Sequence, residues 1–180
     1  MLLIVGILSF MLWPGHENWH QTGSTNDAFY NLNFFAHLGT RTGSMFVMAT
    51  VVGLMVASRM KDQKLRKDVV RFLAPIGLVG GLFAVMMFLY YLQTLPSNAV
   101  VMLNTHLLPV YAKGMVAVFV VTTLWLIFAW WKPHRVYTSL AVALFAFTSV
   151  VGVWPEERMR ESMRKPFVAG QYIYGKVLRF

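Results

Sequence analysis

The stretch LLPVYAKGMVAVFVVTTLWLIFAWW, residues 107–131, contains no Asp or Glu and a single charge, Lys113. A helix over this stretch would be about 37 Å long at roughly 1.5 Å per residue, enough to cross the ~30 Å hydrocarbon core of a bilayer. Three further runs read the same way, from about Phe34 to Met60, Phe72 to Leu95 and Val136 to Trp154. The expected fold is therefore an all-α integral membrane protein, a four-helix transmembrane bundle over residues 34–154. The composition agrees: 57% of the 180 residues are hydrophobic and 13% are charged, against roughly 25% charged in a soluble domain.

Residues 1–33 form the first flanking region. Met1 to Trp13 is apolar and ends at Pro14-Gly15. It lacks the basic start and small-residue cleavage site of a signal peptide, and it is shorter than the ~20 residues of a perpendicular span. It reads as an additional short N-terminal hydrophobic helix, anchoring or partly inserted. His16 to Asn33 reads as an aqueous loop. Trp19, Phe29, Tyr30, Phe34 and Phe35 mark an interfacial aromatic belt. Residues 155–180 form an outer tail.

Charge sets the expected orientation. Arg59 to Arg71 is strongly basic and reads as a connection, and Lys132-Pro133-His134-Arg135 is a short basic turn. Both belong inside by the positive-inside rule, where they meet anionic headgroups. Gln93 to Asn104 carries no charge and goes outside, with the tail. Glu156, Glu157 and Glu161 interleave with the tail arginines and offer them local partners. The expected location is a bacterial or archaeal inner membrane with the C-terminus outside. The net charge of +9 is thus assigned to lipid; no separate basic surface is left for nucleic acid. With no cysteine, disulfides, Cys-ligated clusters and covalently attached c-type haem are excluded within the chain.

Gly53, Gly77, Gly80 and Gly81 lie on the spans, and Gly77-x-x-x-Gly81 has the small-xxx-small spacing of close helix packing. The residues that bear chemistry gather towards the outer end. His37 is near the outer end of the first span, with Arg41 one turn later on the same face. A neutral imidazole in an apolar bundle suits an axial position on haem iron, and a guanidinium suits a propionate. An interfacial histidine, solvated or bonded to a carbonyl, fits equally well. His106 enters the third span at nearly the same depth, in Asn104-Thr105-His106-Leu107-Leu108-Pro109, where Asn104 or Thr105 would cap the helix. It too reads either as a ligand or as an interfacial residue. Lys113, two turns further on, would snorkel outward or meet a propionate. His16 and His20 read as an exposed loop pair rather than a metal site. The twelve methionines read as packing, and His134 is assigned no chemistry.

The tail is the most specific local sequence. Glu161-Ser162-Met163-Arg164-Lys165-Pro166-Phe167-Val168 resembles the E-x-x-R-x-P-aromatic-V signature near the end of cytochrome bd-type quinol oxidase subunit I and its bd-like relatives. The resemblance implies that Glu161 and Arg164 sit beside haem at the outer face, and that His37 is similar in placement to the family's first haem-ligating histidine. It implies a haem-binding subunit of a respiratory electron-transfer complex, a component of an oxidoreductase rather than a complete oxidase. The haem would be b-type. His37 would be an axial iron ligand, His106 a second ligand and Glu161 a ligand or a proton-handling group, while Arg41 and Arg164, with Lys113, would neutralise propionates. Electrons would pass between quinol and a cytochrome or other redox subunit on the outer face, beside further membrane subunits. The chain departs from the family in length, in lacking the long outer quinol-binding loop, and in lacking the acidic pair of a central span. Oxygen reduction by this chain alone is therefore not expected. Two other functions remain open: a cofactor-free anchor, with Glu161 and Arg164 as a helix-terminal ion pair, and a small transporter component, which would need polar groups at mid-depth.

Overall fold

The computed structural model describes residues 22–24, 32–94 and 108–154. Among the described residues there is no strand. The described residues form four helical segments: α1, Leu32–Ala57; α2, Gln63–Gln93; α3, Leu108–Trp131; and α4, Thr138–Phe147, which continues as a π-helical segment, Thr148–Val153. The first three are long and apolar enough to cross a membrane, whereas Thr138–Gly152 is a shorter apolar helix. The expected short N-terminal helix, and the tail with its motif, lie outside the described residues.

Two boundaries differ from the sequence reading. α2 starts at Gln63, so most of the basic run taken as a connection is helical. The physical reason is Asp62, whose carboxylate accepts from the backbone N–H groups of Lys64 and Leu65 at 2.8 and 3.2 Å. Two of the unsatisfied donors of a helix N-terminus are thereby met. The basic side chains of Lys64, Lys67 and Arg71 thus ride the exposed first turns of α2. The fourth helix begins at Thr138 rather than Val136, after the 3-10 turn Pro133–Arg135.

α1 and α2 make the most extensive pairing in the bundle. Small residues allow it. A Cβ on Gly43 would lie 2.6 Å from both the Ala84 nitrogen and the Gly80 oxygen, and one on Gly80 would lie 2.6 Å from the Phe46 Cβ. The two backbones therefore meet at Gly43 and Gly80, with Gly39 packed under Met87 one turn away. In an apolar solvent this close approach supplies the van der Waals contact that hydrophobicity supplies in water. Gly81, half of the spacing noted in the sequence, would meet only ordinary contacts at 3.5 and 3.8 Å. Gly77 faces Thr50 and Leu126, where α1, α2 and α3 converge.

α3 packs on α2. The 138–147 part of α4 packs on α1, while its 148–153 part packs on α3. The fourth helix therefore crosses the bundle as it rises. At the basic end everything closes: Val51, Leu54, Ala57, Val70, Trp125, Leu126, Ala129, Val136, Ala141 and Leu144 form one buried cluster. Ser58 and Thr138 share a hydrogen bond of 2.6 Å there. Arg66 donates from Nη2 to the carbonyl oxygens of Val136 and His134, tying α2 to the α3–α4 turn. The outer surface of the bundle is apolar, with Phe72, Val79, Val116, Leu124 and Val150 all exposed.

Candidate functional site

The polar site lies at the opposite end, where α1 starts and α2 finishes. His37 is 6% exposed, so it is a buried residue and not a solvated one. Arg41 Nε donates to His37 Nε2 at 3.0 Å. Helical spacing of four residues brings the two side chains onto one face, which is why this contact forms within α1. A guanidinium only donates, so Nε2 is the lone-pair nitrogen and the imidazole is the neutral tautomer with its proton on Nδ1.

Tyr91, from the last turn of α2, covers this pair. It is 1% exposed, and its ring meets that of His37 edge-on at 6.4 Å between centroids. Phe88 stacks on Tyr91 at 6.2 Å. The Thr94 hydroxyl closes the helix end by donating to the Tyr91 carbonyl at 2.7 Å. Histidine, arginine and tyrosine are thus gathered at one level by packing of α1 against α2.

Beneath this cluster, towards the basic end, lies a cavity of about 410 Å³. Thr40, one turn from His37, belongs to its wall, as does Phe88. α3 supplies Met115, Phe119 and Thr122, and the π-helical segment supplies Thr148 and Gly152. Most of the wall is apolar. The cavity exists because α4 leaves α1 as it swings towards α3, so the closure seen at the basic end is not repeated here.

Of the six residues singled out in the sequence, the structure joins His37 and Arg41. Lys113 is exposed on α3 and is not part of their contact. His106, Glu161 and Arg164 lie outside the described residues, so the expected ligand set is represented by His37 alone. Among the described residues no three of His, Cys, Asp and Glu come together. Tyr91, Thr122 and Thr148 were missed. Tyr91 carries a weak sequence signal, a phenol at the outer end of a span. Nothing in the sequence marks two threonines as different from the others. No family model, curated protein or solved structure matches the chain, so the role of the site is argued from its own residues.

Proposed function

We propose that this chain is a haem-binding membrane subunit of a respiratory electron-transfer complex, built as a four-helix transmembrane bundle and resembling cytochrome bd subunit I. The observation that carries the proposal is the buried neutral imidazole of His37, held by Arg41 at the end of an apolar bundle. The lone pair that His37 Nε2 offers to Arg41 is the same one an iron ion would use, so the ring is already in its ligating form. Arg41 is half-buried and carries the charge that a propionate needs. On binding, it would exchange the imidazole for the carboxylate.

When bound, haem supplies one-electron redox chemistry. The residues of the chain supply the rest. His37 fixes the iron, and Tyr91 and Phe88 shield the imidazole from water. Arg41, with Arg164 and Lys113, balances the propionate charge. In this reading His106 would be a second ligand, and Glu161 a ligand or a proton-handling group. The membrane placement is supported by three helices of spanning length and by the apolar outer surface, since soluble proteins rarely expose contiguous apolar area beyond a few hundred Å². The donor would be quinol and the acceptor a redox subunit on the outer face.

The test is optical. Protein purified from a haem-replete host should show a b-type Soret band that His37→Ala removes while the variant still elutes as a folded particle. A colourless wild-type preparation sinks the haem reading and leaves the cofactor-free anchor.

A further inference from the structure

Thr40 and Thr42 use the usual solution for a hydroxyl in an apolar helix, donating back to the carbonyls of Ala36 and Leu38 at 2.9 and 2.8 Å. Thr122 and Thr148 do not. Both are buried, at 4% and 7% exposure, and neither hydroxyl oxygen has a hydrogen-bond partner. Each leaves a buried polar group unsatisfied, which costs stability. Both residues line the same cavity from different helices.

Their positions correspond. Val118 packs against Gly152, and four residues nearer the α3–α4 turn on each helix stand Thr122 and Thr148. Thr148 also opens the π-helical segment. Such turns are rare, and they gather at functional sites because they shift the residues that follow. Each hydroxyl oxygen is itself buried, and a rotation about χ1, which exchanges hydroxyl for methyl at a threonine, would turn it towards the cavity that its residue lines.

We propose that this cavity binds a small lipophilic molecule taken laterally from the bilayer, with a carbonyl oxygen accepting hydrogen bonds from Thr122 and Thr148. The walls select an apolar body, and the two donors select one acceptor between them. A volume of about 410 Å³ lies within the range of small-molecule pockets, roughly 300–1,000 Å³. Depth excludes the ester group of an ordinary phospholipid. Thr122 lies about 21 Å along α3 from its start and about 14 Å from its end at roughly 1.5 Å per residue, away from both headgroup levels. The inference rests on the membrane placement proposed above but not on haem at His37.

The test uses a fluorescent lipophilic ketone, propionyl-dimethylaminonaphthalene, whose emission moves to longer wavelength when its carbonyl accepts a hydrogen bond. The protein is held in nanodiscs of ether-linked lipid, so no lipid ester carbonyl competes with that of the dye. Wild-type protein should bind it at one saturable site with red-shifted emission. The double variant Thr122→Val with Thr148→Val should bind about tenfold more weakly and lose the red shift. It should fold at least as well as wild type, because it removes two unsatisfied hydroxyls. Gly81→Leu, which directs a side chain into the cavity, should abolish binding. Equal affinity and emission in the valine variant, or a wild-type signal that never saturates, overturns the proposal. A cavity that holds only water gives the second of these results. Release of the protein from membranes by alkaline carbonate would refute the membrane placement itself, a separate failure.

Discussion

The two ends of this bundle are built from similar residues yet packed to different purposes. At the basic end the helices close on one buried cluster. Leu54, Val70, Ala129 and Val136 are wholly buried, and the Arg66 and Ser58 hydrogen bonds lock the turn between α3 and α4. At the histidine end a buried polar cluster sits over an open cavity, and the α4 backbone departs from regular helix. The comparison teaches where stability and function are divided. Buried donors without partners occur at both ends, Arg66 Nε and Trp125 Nε1 at the basic end and the Thr122 and Thr148 hydroxyls on the cavity wall, so it is the cavity that separates the two ends. Functional sites commonly carry such local defects, compensated by packing elsewhere.

The sharpest way to break this picture is at the point where the two halves meet. Gly43→Leu sets a side chain against the backbone of α2, which cannot yield. It should destabilise by more than about 3 kcal/mol and remove the folded particle from size-exclusion profiles in detergent. Gly81→Ala, one turn beyond Gly77 but facing ordinary contacts, should leave the thermal midpoint nearly unchanged. Equal effects would mean that the helices do not cross at Gly43 and Gly80.

Next in size is a truncation compared across the two ends. Leu54→Ala in the closed core should lose about 2–5 kcal/mol, and Val85→Ala on the cavity wall roughly 1 kcal/mol or less. Thermal denaturation followed by circular dichroism measures both. A similar loss at Val85 would show that the cavity is as tightly packed as the core. Arg66→Met should cost about 1.5–3 kcal/mol by removing charge-assisted bonds to two carbonyls. Lysine at that position should not restore it, since an ammonium lacks the planar fork. Smallest is Ser58→Ala, expected to lose about 1 kcal/mol. Its effect should shrink in a Thr138→Val background but not vanish, because the Ser58 hydroxyl also donates to the Met55 carbonyl at 2.7 Å; a double-mutant cycle reads that coupling directly.

Much of this arrangement can be read in the chain before any coordinates. The apolar run 107–131 announces a helix of spanning length, and α3 occupies Leu108–Trp131. The i, i+4 spacing of His37 and Arg41 is a statement about one helix, so their contact follows from local geometry. The start of α2 was also legible, because Asp62 is a good N-cap, but the density of positive charge read as a loop. Gly39-x-x-x-Gly43 satisfies the same spacing rule as Gly77-x-x-x-Gly81, and only the structure decides which glycines face a neighbour.

By itself, then, the sequence determined the helical class, the long apolar spans, the charge asymmetry of the connections and the pairing of His37 with Arg41. These depend on composition and on contacts within one helix. The tertiary structure alone decided that Gly43 and Gly80 carry the close approach, that Tyr91 covers His37, and that Thr122 and Thr148 share a cavity. Each of these requires knowing how one helix is rotated and crossed relative to another. That rotation is set by the packing of whole surfaces, which no local stretch of sequence specifies.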